Sequence, residues 1–473
     1  MAYRINNEDV NKWSKEYTGE KFHALLCDAP YHLTTITKRF GKEGAAPAKF
    51  GTDGLFQRTS KGFMGQEWDG GDVAFRPETW AGLGEHLYPG AFGMTFGGAR
   101  TAHKIAMAIE EAGFIIHPMI GWINGQGFPK ATRIDNKVDR EAGAQRNILG
   151  VAKGAGSQQT ESLGKYNPEY AITSPVTSLA QSWEGHRYSM QALKPALEPI
   201  IVFQKPYEGR PLDNIVSTGA GTINIDGGRI QLKDEAGYTI NRFTDGARPF
   251  GDAVGEEYDS VEETKGRWPA NFIIDKRVAE SLDRQSGHLK SGKMLSTQKR
   301  STDRSPNGIY GKFNIDAPIE ETIGDSGGAS RFFFNVETKL DEADPFIYEK
   351  KVSQVERNAG LEELPTVMMG MSGGAQSHLE EGYDNGQGIG LNRVQSRKNT
   401  HPTLKSISLT KYLATLLLPP IEYAPRRLLI PFSGVSSEMI GGLLAGWEYV
   451  EGIEMTEEYI PIAHKRLEYW CKE

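Results

Sequence analysis

The stretch that most constrains this chain is "RRLLIPFSGVSSEMIGGLLAGWEYVEGIEM", Arg426 to Met455. "RRLLIPF" reads as a buried strand, "SGVSS" as a turn of small residues, and "EMIGGLLAG" as a helix closed by Gly446. "EYVEGIEM" is a second strand. Two strands joined through a helix pair in parallel, so the stretch commits the chain to an α/β architecture. The same alternation recurs from about residue 20 to 205. There "HALLC", "GAFGMTF", "FIIHPMIGWI" and "EPIIVFQKP" read as strands. "ARTAHKIAMAIEEAGF" reads as a helix, with Ile105, Ala106, Ile109 and Ala112 at helical spacing and Gly113 as its stop. A parallel-rich sheet is the expected result.

Two helices flank the C-terminal block. "LKSISLTKYLATLLL" is amphipathic and ends at Pro419-Pro420, and "TEEYIPIAHKRLEYW" takes Thr456 as its N-cap, with Pro461 in its second turn. Between the two ordered ends the pattern weakens. Residues 40–71 are rich in Gly, Lys and Thr, and about 207–398 contains short strand-like pieces ("STGAGTINIDGGRI", "GRWPANFII") among open polar stretches. "SQVERNAGLEEL" has helical spacing and reads as a packing segment.

Composition narrows the class. The chain has 473 residues, which suggests roughly three structural units. Apolar residues make up 38% and charged residues 24%, an ordinary globular balance, and no run approaches the roughly 18 apolar residues of a membrane span. The first residues carry no apolar signal core. Cys27 and Cys471 are the only cysteines, too few for a disulfide framework or a cysteine-rich zinc site, and a reducing cytoplasmic setting is expected. His103, His117 and His186 lack metal-ligand spacing, so no metal is expected. A net charge of -7 excludes a uniformly basic coat but leaves room for a local basic groove.

Two short motifs carry chemistry. In the first, Gly434 lies among Ser433, Ser436 and Ser437, ahead of a helix whose free N–H groups face the turn. Glu454 ends the next strand and could accept hydrogen bonds from a ribose. A generic strand-helix turn and an adenosine site both fit. A phosphate-binding P-loop does not, because no Gly-Lys-Ser/Thr comes after it. In the second motif, the apolar run Ala24-Leu25-Leu26-Cys27 stops on Asp28-Ala29-Pro30-Tyr31. A turn uses the Asp and the Pro, but it does not need the tyrosine.

Taken together, "DAPY" at one strand end and "PFSG" in a strand-turn-helix resemble the Asp-Pro-Pro-Tyr and Asp-Pro-Phe-x-Gly motifs of the DNA amino-methyltransferases, in the β-class order. "GWINGQGFPKA" and "ALKPALEPIIVFQKP" are similar to segments of phage and prophage DNA methylases. "NTHPTLKSISLTKYL" is similar to the family's Asn-x-His-Pro-Thr-x-Lys-Pro segment, which packs beside the cofactor and here supplies His401 and Thr403. The resemblance implies a Rossmann-like methyltransferase sheet that is permuted, with the catalytic half first (1–206), a central target-recognition region (207–398) and the S-adenosylmethionine-binding half last (399–473). It implies methyl transfer from S-adenosylmethionine to an adenine N6 amine, Asp28 leaning toward adenine over cytosine N4. It places Asp28, Ala29, Pro30 and Tyr31 at the reacting amine. Pro431, Phe432, Ser433, Gly434, Ser436, Glu454, His401 and Thr403 fall around the cofactor.

The partner it implies is double-stranded DNA with the target base flipped out, and family members are often homodimers. Lys38 and Arg39 of "TKRFGKEG", and Lys299 and Arg300 of "LKSGKMLSTQKRSTDR", are candidate DNA contacts, with solvated loops as the plainer reading. The sequence departs from the family at Ala29, where proline is usual, at Ser406, also usually proline, and at Ile430. Ile430 replaces an Asp that meets the amino group of the cofactor's methionine moiety. That change leaves a methyltransferase-like module that binds without catalysis as the rival from another class.

Overall fold

A computed structural model describes residues 2–32, 72–125, 130–153, 169–230, 238–241, 260–263, 266–290, 326–336, 352, 354–370, 394–401 and 403–472. Two compact units result: Met1–Ile223 together with Glu337–Glu473, and Asn224–Val336. The second unit lies within the 207–398 span that the resemblance marks off as a central region. Residues 211–218 stay with the first unit because Asn214 donates to the Pro89 carbonyl (3.0 Å), and 354–358 stay because Glu356 and Arg357 bond the segment before Ile407.

The first unit is built on a mostly parallel sheet. Its strands are β1 (Ala2–Asn7), β2 (Phe22–Cys27), β3 (Leu87–Phe96), β4 (Ile115–Ile123), β5 (Leu197–Gln204), β6 (Arg427–Pro431) and β7 (Tyr449–Glu454). Within this unit they hydrogen-bond in the order β1-β7-β6-β2-β3-β5-β4. The run from β1 to β3 is parallel, while β5 lies antiparallel between β3 and β4. The fold is therefore the Rossmann-like α/β class that the strand-helix alternation implies, with one reversed strand. That reversal was invisible in "EPIIVFQKP", whose apolar run looks the same in either direction. β1 was not foreseen either, because its partner β7 lies at the other end of the chain.

Both faces of the sheet are covered, which is why its central strands read as unbroken apolar runs. On one face Leu25, Leu429 and Ile453 join a core with Trp80 and Leu83 of α1 (Pro77–Glu85), and Ile105 and Ile109 of α2 (Ala102–Glu111). The other face receives α3 (Ile407–Leu417) and α4 (Ser437–Ala445). Two adjacent glycines let α4 approach this closely. A Cβ on Gly442 would stand 2.8 Å from Leu428 Cδ2, and one on Gly441 would stand 2.4 Å from Thr410 Oγ1 of α3.

After β7 the chain makes a 3₁₀ turn, Glu457–Tyr459, before α5 (Ile460–Trp470). Pro461 is therefore in the first turn of α5, not the second, where its missing N–H breaks no helical bond. Thr456 precedes the 3₁₀ turn without a side-chain capping bond.

Between β4 and β5 the chain forms two antiparallel pairs, Lys130–Arg133 with Arg187–Gln191 and Asn147–Lys153 with Glu169–Ser174. They are held by Arg146, which bonds the buried Asp135 and Asp139 and the Thr173 hydroxyl (2.8 Å). In the second unit, Phe272–Asp275 pairs in parallel with Phe334–Val336, and Asp275 caps helix 276–286 through the Val278 N–H (2.7 Å). "STGAGTINIDGGRI" contributes only an isolated bridge, Ile230 to Arg267.

Arg426 clamps the C-terminal block. Its guanidinium donates to the Pro419 carbonyl after α3 (3.0 Å), the Gly446 carbonyl after α4 (2.8 Å) and the Glu448 carboxylate (2.9 Å). Arg426→Met should destabilise the chain by about 2–4 kcal/mol, because it strands a partly buried acid and two carbonyls. Urea unfolding of the two proteins measures this, and an unchanged midpoint would assign the clamp no energetic role.

Candidate active site

β6 and β2 are parallel neighbours, with Leu428 beside Ala24 and Leu429 beside Leu25. From β6 the chain crosses through α4 toward β7, while from β2 it crosses through α1 toward β3 on the other side. Connections that leave in opposite directions open a crevice at the carboxyl ends of the two strands. The two sequence motifs stand there side by side: Asp28 comes directly after β2, and Pro431 to Ser436 lead out of β6.

The turn after β6 is backbone-strained. Phe432, Gly434 and Ser436 have φ of 57, 51 and 67 degrees, and two of the three carry a Cβ. Left-handed non-glycine residues cost about 1 kcal/mol or more each, and such strain collects at functional sites. The Ser433 N–H bonds the Ile453 carbonyl (2.9 Å), which ties the turn to β7. Ser433 is 2% exposed, and its hydroxyl has no partner among the described residues.

Glu454 closes the turn from the next strand. One of its carboxylate oxygens accepts the Gly434 N–H (2.8 Å) and the other the Thr456 N–H (2.7 Å). Burial raises its pKa nonetheless, and the hydrogen bonds oppose that shift. Each oxygen keeps a lone pair for a ligand hydroxyl.

His401 borders the turn. A Cβ on Gly434 would fall 3.0 Å from its Nε2, and its ring packs against Tyr459 with centroids 4.7 Å apart. Burial and the nearby Arg357 lower the His401 pKa to about 3, so the ring is neutral. Thr403 is exposed. Ser406, in the place of a proline, begins α3. The Ile407 N–H at that end bonds Glu356 (2.7 Å), and Arg357 donates to the His401 carbonyl (2.6 Å). "SQVERNAGLEEL" thus holds the His401 segment in place as well as packing.

Lys405 joins the two halves of the site. Its ammonium pairs with Asp28 Oδ2, donates to the Tyr31 hydroxyl (3.2 Å) and lies 4.6 Å from the centroid of the Phe96 ring. Its side chain is 4% exposed, and that of Asp28 19%. Asp28 Oδ1 is buried with no hydrogen-bond partner among the described residues. The Tyr31 ring packs against Gly98, where a Cβ would be 3.2 Å from its Cδ2. Ala29 is buried beneath the turn. Glu438, in the first turn of α4, is 4% exposed. Burial first, and then the Asp28 charge, push its pKa up to about 7, with Lys405 opposing.

The structure thus gathers Asp28, Tyr31, Pro431 to Ser436, His401 and Glu454 around one crevice. Lys38, Arg39, Lys299 and Arg300 lie outside the described residues. Four residues escaped sequence reasoning. Lys405 was within sight, in the matched His-Pro-Thr segment. Glu438 read as an ordinary acid at a helix start. Glu356 and Arg357 carried no local signal.

No family model matches the chain. Type II methyltransferase M.HindIII of Haemophilus influenzae is 25% identical over 239 residues, 46% of this chain and 64% of that protein. The match therefore spans less than two thirds of the relative. Among solved structures, M1.HpyAVI aligns with a TM-score of 0.34 and 10% identity over 98% of each chain. The PvuII DNA methyltransferase, described as cytosine-N4-specific, aligns with a TM-score of 0.36 and 8% identity, over 98% of this chain and 86% of that one.

The state of Glu438 has a measurable consequence. Below pH 4.5 it is protonated in the folded and the unfolded chain alike. Between 4.5 and about 7 the folded chain keeps a proton that the unfolded chain releases. Unfolding free energy should therefore fall as pH rises through that window, by on the order of 3 kcal/mol. Glu438→Gln should lack this component. Urea unfolding of both proteins from pH 4 to 8 measures it, and parallel stability curves would mean that Glu438 ionises freely.

Proposed function

We propose that this chain is an S-adenosylmethionine-dependent DNA methyltransferase that methylates the exocyclic N6 amine of adenine. One observation carries the reading: directly after β2, at the switch point, an Asp has a buried oxygen without a partner among the described residues, beside the turn that ends β6. The similarity to M.HindIII supports the class of reaction. Asp28 as first residue of its motif supports adenine.

The residues present suit the cofactor. Ser433 offers a buried hydroxyl without a partner, the Glu454 oxygens keep lone pairs for the ribose, and His401 walls the turn beside Gly434. When bound, the cofactor supplies an electrophilic methyl on a sulfonium.

The protein's part is positioning and electrostatics. An adenine amine is a weak nucleophile, because its lone pair is delocalised into the ring. Asp28 Oδ1 accepts one amine N–H and the Ala29 carbonyl the other, which draws the nitrogen toward tetrahedral geometry. Lys405 grips the second Asp28 oxygen, so the carboxylate is held in one orientation. Pro30 stiffens the turn. Tyr31, set against Gly98 and bonded by Lys405, offers a face on which a flipped base stacks. Asp28 Oδ1 would take up the amine proton, and it need not be a strong base because methylation makes that proton acidic. Basic residues at 38, 39, 299 and 300 are proposed phosphate contacts.

Labelled S-adenosylmethionine and mixed-sequence DNA test this directly. The expected product is N6-methyladenine in the digested DNA. Methylcytosine would move the assignment to N4, and no incorporation by folded protein would leave a binding module. Asp28→Ala should abolish turnover while cofactor affinity stays within a few-fold, and residual activity above a few per cent would remove Asp28 from the mechanism. Glu454→Ala should weaken cofactor binding by about 1–3 kcal/mol in calorimetry, and unchanged affinity would contradict its ribose role.

A further inference from the structure

The methyltransferase reading leaves one ligand charge without a receptor. The Asp that meets the cofactor's amino group in the family is replaced by Ile430, which is wholly buried and apolar. Strand alternation puts Ile430 on the same face of β6 as Leu428. That face is the one α4 covers, since a Cβ on Gly442 would stand 2.8 Å from Leu428 Cδ2. The first turn of α4 then brings a second carboxylate, Glu438, to the same side of the sheet at the same end of the strand.

Glu438 forms no ion pair among the described residues, although Lys405 and Arg466 attract it from a distance. No Lys, Arg or His nitrogen among the described residues lies within 4.0 Å of it, and the hydrogen bond it accepts comes from its own backbone N–H. The nearby cations make their bonds to other groups: Lys405 pairs with Asp28, and Arg466 Nη1 donates to the Val435 carbonyl and the Ser437 hydroxyl. The other charge that acts on Glu438 is that of Asp28, and β7 beside α4 carries the buried Glu451 and Glu454. A 4% exposed carboxylate with no directly bonded cation among the described residues is costly unless a ligand completes it. Two further groups at the same strand ends point to a ligand there: Asp28 Oδ1 and Ser433 Oγ, both buried and unpartnered.

We propose that Glu438 is the receptor for the cofactor's α-ammonium, replacing from the start of α4 the acid that β6 lacks at position 430. This role rests on the methyltransferase reading of the chain. The anion has moved from strand to helix while its place in the crevice is kept. The elevated pKa of Glu438 accords with an acid that becomes fully ionised when a cation arrives.

Equilibrium binding to the full chain tests this without turnover. The probes are S-adenosylhomocysteine, its des-amino analogue and 5′-methylthioadenosine, which lacks the whole amino-acid portion. Wild type should bind S-adenosylhomocysteine about tenfold to a hundredfold more tightly than the des-amino analogue, the worth of a hydrogen bond to a charged group. Glu438→Gln should lose most of that preference and keep its affinity for the des-amino analogue and 5′-methylthioadenosine. Glu438→Asp, which retains the charge, should recover part of the preference and guards against a folding defect in the glutamine variant. An unchanged preference in Glu438→Gln overturns the assignment. So does a preference abolished by Asp28→Asn alone, which would make Asp28 the receptor. If wild type binds neither S-adenosylhomocysteine nor 5′-methylthioadenosine, the methyltransferase reading fails, and the receptor role fails with it. Loss of the amino preference alone leaves that reading standing.

Discussion

The structure depends on the pairing of β6 with β2. At its edge the Arg427 N–H reaches His23 Nδ1 (3.1 Å) from 404 residues away. Closing so long a loop costs entropy, although the cost grows only slowly with length. It is offset by burial on both faces: Leu25 and Leu429 enter one core, while Leu428 meets α4 on the other. Once the strands are side by side, the crevice is determined. Their crossovers leave in opposite directions, a gap opens between them, and the two motif turns face each other across it.

The crevice sets several mostly buried charges close together. Lys405 bonds Asp28 and Tyr31 and reaches Glu438 only as a more distant charge. Arg466 is buried near Glu438 yet bonds the backbone and a hydroxyl, and burial pulls its pKa down to about 10. His401 is neutral against the turn. Left-handed Phe432 and Ser436 add backbone strain in the same few residues. An arrangement tuned only for stability would pair these charges or replace them with apolar groups. The strain, the orphaned oxygens and the unpaired acid all collect at one place, as they would in a site awaiting a charged ligand.

Support for the site comes from segments that looked incidental. The Glu356 carboxylate takes the first free N–H of α3, and Arg357 holds the carbonyl of His401. Asn399 donates back to the Arg357 carbonyl (3.0 Å). These reciprocal bonds position Lys405 without touching it. The Arg426 clamp does the same for β6, from behind the turn it feeds.

The sequence alone determined the elements whose signals are local. Apolar runs, Gly113 and Gly446 as stops, and the Pro419-Pro420 break placed strands and helices near their final bounds, because periodicity and termination are properties of neighbouring residues. Asp28, the Gly434 turn, His401 and Glu454 were legible because short motifs carry their own chemistry. Tertiary structure alone decided the direction of β5, the N-terminal strand, the division into units, and the partnership of Lys405 with Asp28. It also decided that the helix beginning with Ser437 and Glu438 packs on the Leu428 face of β6. Each of these turns on which distant segments share a strand edge or a buried pocket. That outcome is set by the sum of burial and pairing over the whole chain, and no window of sequence contains it.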